Sequence, residues 1–120
     1  MTNKDISFDE IIDQTYEAGE LWAQTATIHH RYREGEKAKL AEIKHKIRST
    51  QPLPEGKKAW SKDDLDEAAL ASPEWKKYLN EWTDAYEAML RARNTFDAWN
   101  STFEAKRSMM ASERTLGKLG

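Results

Sequence analysis

Helix-breaking residues are confined to one short part of this chain, and that confinement limits its fold more than any other feature. All three prolines fall between Pro52 and Pro73. From Ser7 to Ser49 only Gly19 and Gly35 interrupt a run of helix formers, and from Trp75 to Leu116 there is neither glycine nor proline. Each stretch holds about 40 residues, roughly 60 Å as a helix. The expected fold class is therefore all-α: two long helices in an antiparallel, coiled-coil-like hairpin, joined by a Pro-rich loop and a short connecting helix.

Local signals set the boundaries. Ser7-Phe8-Asp9-Glu10 has the Ser-x-x-Glu form of a capping box, in which hydroxyl and carboxylate satisfy amides left free at a helix start. Ser49-Thr50-Gln51-Pro52-Leu53-Pro54-Glu55-Gly56 is turn chemistry, because each proline lacks an amide donor and biases its predecessor away from helix. Ser61-Lys62-Asp63-Asp64 offers a second N-cap, and Ser72-Pro73-Glu74 places serine at the cap, proline at the first helical position and an acid in the first turn. These signals predict a single domain over residues 1–120, with helices at about 7–48 and 73–116 and a connector at 49–72 holding a short helix at about 62–70.

The apolar stripes have heptad spacing. Ile11, Thr15, Ala18, Trp22, Thr25, His29, Tyr32 and Glu36 follow steps of four and three, and after a one-residue slip beside Gly35 the stripe resumes at Leu40, Ile43 and Ile47. The last helix repeats the pattern through Trp75, Leu79, Trp82, Tyr86, Met89, Phe96, Phe103 and Met110. Folding at the Pro-rich loop pairs positions whose numbers sum to about 121 or 122, so that Ile47 faces Trp75, Trp22 faces Trp99, Ala18 faces Phe103 and Ile11 faces Met110.

Charge follows the same plan. The formal net charge is -2, but Asp5, Asp9, Glu10, Asp13, Glu17 and Glu20 make the start of the first helix acidic. Arg91, Arg93, Lys106, Arg107, Arg114 and Lys118 make the end of the last helix basic. In an antiparallel hairpin these ends adjoin, and Asp13, Glu17 and Glu20 are expected to pair with the arginines opposite.

Little in the chain suggests catalysis. It has no cysteine, which removes disulfides, thiolate ligands and thiol nucleophiles. Glu42-Ile43-Lys44-His45 has the Glu-x-x-His spacing of di-iron bundles, but those sites need two such motifs and two further carboxylates, so no metal or other cofactor is expected. Asp63, Asp64, Asp66 and Glu67 are explained by the preference of acids for a helix start. Phosphate-loop, zinc-protease, nucleophile-elbow and EF-hand patterns are absent, and the reading is that the chain is not an enzyme.

Two sets of residues suggest binding instead. Arg93, Arg107 and Arg114 lie along one line of the last helix beside Trp99, where phosphates and stacked bases of a single strand would fit. Trp60, in the connector, and Trp75 and Tyr78, at the start of the last helix, are candidates for a protein interface, since five tryptophans are many for so thin a core.

The last helix also supports a resemblance. Ser72-Pro73-Glu74-Trp75, Tyr78-Leu79, Ala85-Tyr86, Arg93, and Phe103-Glu104-Ala105-Lys106-Arg107-Ser108 ahead of Glu113-Arg114 resemble a pattern in small helical proteins of tailed bacteriophages and prophages. Several of these come from DNA-recombination neighbourhoods, generally without assigned activity. The resemblance spans roughly residues 15–116 and implies a phage origin and no catalytic residues. The resulting expectation is a phage-encoded interaction protein in the host-cell cytoplasm, with no membrane span. It would form a homo-oligomer, most simply a dimer, and bind a host or phage protein of DNA metabolism or host defence. The alternative is a single-stranded nucleic-acid-binding recombination accessory.

Overall fold

A computed structural model describes residues 6–119, which form three helices and, among the described residues, no strand: α1 (Phe8–Thr50), α2 (Lys62–Leu70) and α3 (Pro73–Leu119). Asp5 and the side chain of Lys118 lie outside the described part. The two long helices pack against each other, as the distribution of helix breakers requires. All three caps form. The Ser7 hydroxyl accepts from the Glu10 amide at 3.2 Å, Ser61 accepts from Asp64 at 3.1 Å, and Ser72 accepts from Trp75 at 3.1 Å. Ser72 also donates to the Ala69 carbonyl at 2.7 Å, so one buried hydroxyl ends α2 and starts α3.

The chain divides into two compact units, one made of Met1–Thr27 with Glu87–Gly120 and the other of Ile28–Tyr86. The second unit holds the larger apolar core. Ile43 and Ile47 of α1, Leu65 and Ala69 of α2, and Trp75 of α3 are buried together, with Leu40, Trp60, Ala68 and Tyr78 packed around them. Lys44 reaches the carboxylate of Asp66 and fastens α2 to α1, and this ammonium holds the Asp66 carboxyl below its ordinary range. The loop between α1 and α2 turns at Pro54-Glu55-Gly56-Lys57, where the Lys57 amide donates to the Pro54 carbonyl at 3.0 Å and Gly56 has φ +77°, a conformation that glycine accepts without a Cβ clash.

In the first unit the seam is thinner. Ile11 and Ala18 of α1 and Ala92 of α3 are buried, and aromatic rings fill the space between them. Phe8 stacks on Phe103 with centroids 5.5 Å apart, and the Trp22 and Phe96 rings lie 5.3 Å apart. The Thr15 hydroxyl donates to the Ile11 carbonyl at 2.7 Å and lies 3.3 Å from the Trp99 carbonyl.

These contacts shift the register. Trp22 meets Phe96 where the stripe pairs it with Trp99, and Phe103 meets Phe8 where the stripe pairs it with Ala18. Met110, expected opposite Ile11, is 38% exposed. The pairings Gly19 with Phe96, Thr15 with Trp99 and Gly35 with Tyr78 sum to 113–115, about one heptad below the expected value, although Ile47 and Trp75 do share a core. Close approaches at the two glycines accompany the shift. Each glycine leaves a gap in the surface of α1 that an aromatic side chain of α3 enters, Phe96 at Gly19 and Tyr78 at Gly35, and a Cβ at those positions would stand 3.4 Å and 3.2 Å from them.

Candidate interaction surface

An open apolar feature lies in the first unit. Gly19 and Thr15 form the floor of a groove of about 480 Å³ between α1 and α3, with Ile12, Tyr16 and Ala23 along one wall and Phe96, Asn100 and Phe103 along the other. The α1 wall is helical in origin, since residues 12, 16, 19 and 23 recur at steps of four and three and fall on one stripe. That stripe is separate from the Ile11, Ala18 and Trp22 seam, so it remains uncovered: Ile12 is exposed, and Tyr16 is 69% exposed. Glu20 is the one ionisable side chain besides Tyr16 in the lining. Such a groove can bury apolar surface. It has no nucleophile paired with a base with which to break a bond.

Beyond this groove α3 runs on without α1. Phe103 stacks on Phe8, the first residue of α1, and α3 then continues for about 16 residues, roughly 24 Å at 1.5 Å per residue. Every residue from Arg107 to Gly117 is exposed, including Met109 at 56% and Leu116 at 68%.

The expected charge pairing across the hairpin does not form. Arg107 binds Glu104 at 2.7 Å within its own helix, with its guanidinium 6.0 Å from the Phe103 ring, and Arg93 lies 3.9 Å from Asp97. Among the described residues no ion pair joins Asp13, Glu17 or Glu20 to any arginine of α3, and Arg114 has none either. The register shift explains this, because it moves Arg107 and Arg114 past the end of α1 and leaves the acidic line of α1 beside Phe96, Trp99 and Phe103.

The sequence candidates separate accordingly. Arg93, Arg107 and Arg114 are exposed, and Trp99 is half-buried, with its backbone carbonyl near Thr15. Trp75, a candidate for a protein interface in the sequence, is only 5% exposed, because α2 and the isoleucines of α1 already cover it within the chain. Tyr78 is similarly engaged, stacking on Trp75 with centroids 5.4 Å apart and donating its hydroxyl to the Tyr32 carbonyl. Burial raises its hydroxyl pKa, and nearby Glu36 adds to the effect. Trp60 is half-buried against the same core, with its indole nitrogen buried and without an acceptor among the described residues.

The histidines do not converge. His29 packs against Tyr86 with centroids 5.2 Å apart, His30 lies 3.9 Å from Glu34, and among the described residues no three His, Asp or Glu side chains gather as a metal site would require. Among the described residues no helix is long and apolar enough to cross a membrane. Sequence reasoning missed the groove itself. Its signal was Ile12, Tyr16 and Ala23, a second apolar stripe beside the one that forms the seam. Comparison with family models, with curated proteins and with solved structures finds no match to the chain.

Proposed function

We propose that this chain is a non-enzymatic helical interaction protein that self-associates through the first unit and acts on a partner protein by occupying its surface. The observation that carries this reading is the pairing, at one end of α3, of an uncovered apolar groove with a helical extension on which Met109, Met110 and Leu116 are exposed. A helical stretch such as Arg107–Gly117, exposed at every residue, is marginal in water by itself, and packing against another surface is the usual source of its stability. Resemblance to small phage helical proteins supports a phage origin, action in the host cytoplasm and a partner in DNA metabolism or host defence. Sedimentation equilibrium of the full chain tests the self-association: a concentration-dependent dimer in the micromolar range is expected, and a folded monomer throughout that range contradicts the reading.

The alternative, single-stranded nucleic-acid binding by Arg93, Arg107, Arg114 and Trp99, has weaker support. Two of the three arginines have a carboxylate within 4 Å, Glu104 and Asp97, which offsets their pull on phosphate. Arg107→Glu is expected to leave any affinity for single-stranded DNA unchanged. A salt-sensitive affinity that collapses in this variant favours the alternative.

A further inference from the structure

Resting on the self-association just proposed, we infer that the occupant of the groove is a second copy of this chain, whose α3 extension lies in it parallel to α1. Arg107 and Arg114 then reach Asp13 and Glu20, and Met110 sits against Tyr16.

Three observations support this pairing. The first is charge: Asp13 and Glu20 lie beside the apolar wall of the groove, Arg114 sits on the extension, and among the described residues neither group has an ion-pair partner within the chain. Arg107 is held by Glu104 on its own exposed helix, a contact that an acid on a second molecule can replace.

The second is spacing. Asp13, Tyr16 and Glu20 are separated by three and four residues, and so are Arg107, Met110 and Arg114. Two parallel helices with the same three-four step bring all three pairs together at once. The direction is also right. In a two-fold arrangement with the α3 helices crossing near Glu104, the partner's extension runs antiparallel to α3 and hence parallel to α1. The partner's Met110 then falls near Ala98 of α3. Since Thr15 meets Trp99 and Gly19 meets Phe96, the level of Ala98 along α3 is that of Tyr16 along α1.

The third is size. A helix roughly 24 Å long and about 10–12 Å across covers roughly 250–300 Å² of each surface it lies between. The two-fold operation makes the contact twice, which totals about 1,000–1,200 Å², the lower bound for a specific interface. The arrangement closes on itself, so it gives a dimer and no filament.

Charge reversal in the full chain tests this. One variant carries Asp13→Arg and Glu20→Arg, the other Arg107→Glu and Arg114→Glu. All four positions are exposed, and circular dichroism of each variant is expected to match the wild type apart from a small loss from the unpacked extension. Each variant alone is expected to weaken the dimer about thirtyfold at low salt, from four partly exposed ion pairs turned to repulsion. Mixed in equal amounts the two variants regain wild-type affinity, because in the mixed dimer both contacts again join opposite charges. A wild-type dimer that neither variant weakens, or a mixture that fails to recover, overturns this inference and leaves self-association by another face standing. A wild-type monomer overturns both.

Discussion

Replacing each of the two glycines of α1 with alanine should have different consequences, although both lie mid-helix. Alanine is favoured over glycine in a helix interior by about 0.8–1.0 kcal/mol. At Gly19 the added methyl meets Phe96 carbons at 3.4 and 3.5 Å, ordinary contact, so Gly19→Ala should stabilise the chain by about 1 kcal/mol. At Gly35 the methyl meets the Tyr78 hydroxyl oxygen at 3.2 Å, and that oxygen has little freedom to retreat. The ring is stacked on Trp75, lies against Tyr32 at 5.4 Å, and donates its proton to the Tyr32 carbonyl. Displacing it forfeits about 1 kcal/mol of hydrogen bond, so the propensity gain and the contact loss cancel and Gly35→Ala should be neutral within about 0.5 kcal/mol. Tyr78→Phe removes the obstructing oxygen, and in that background Gly35→Ala should recover its full gain, a coupling of about 1 kcal/mol. Urea denaturation followed by helical circular dichroism, at one fixed protein concentration, measures all four variants against the wild type. If Gly35→Ala stabilises as much as Gly19→Ala while Tyr78 is intact, then Tyr78 does not occupy the gap at Gly35 and the account of the register fails.

Trp75→Ala removes a ring buried among Ile43, Ile47, Leu65 and Ala69 and should cost about 3–5 kcal/mol, with amides of α2 losing hydrogen-exchange protection; retained protection of α2 contradicts its place in that core. Trp22→Ala and Phe96→Ala should couple in a double-mutant cycle by about 0.5–1.5 kcal/mol, and additivity would move the contact elsewhere. The carboxyl of Asp66 is held low by Lys44, so its contribution is complete above the carboxylate's unfolded pKa and is lost as pH falls through the lower folded value. Stability should therefore decline below about pH 4, and Asp66→Asn should flatten that part of the profile. A variant curve parallel to the wild type contradicts the assignment.

Much of the fold was legible because its signals are local. Ser7, Ser61 and Ser72 cap as their neighbours suggest, and α2 spans Lys62–Leu70 as its cap and apolar spacing indicate. The register was not legible, since a heptad stripe superimposes on itself after seven residues and the apolar pattern fits either alignment. The observed alignment is marked by the aromatic approaches at Gly19 and Gly35, and a glycine inside a helical run reads first as a weak point. That one shift accounts for several differences at once. It brings Trp22 onto Phe96, moves Arg107 and Arg114 beyond the end of α1, and leaves Asp13 and Glu20 without partners among the described residues. The covering of Trp75 was hidden for another reason: a nine-residue helix shows its cap and spacing in sequence, but not the direction in which it docks.

Amide hydrogen exchange along α3, compared at low and high micromolar protein concentration, tests the central claim most directly. In a single copy the backbone from Arg107 to Gly117 has no packed neighbour among the described residues, so it should exchange rapidly, while the Ala85 to Trp99 stretch stays protected by α1. If the extension is the surface through which the chain finds a partner, raising the concentration should slow exchange at residues 107–117 and leave the slowest amides of the seam unchanged. Rapid exchange there that is the same at every concentration contradicts the account.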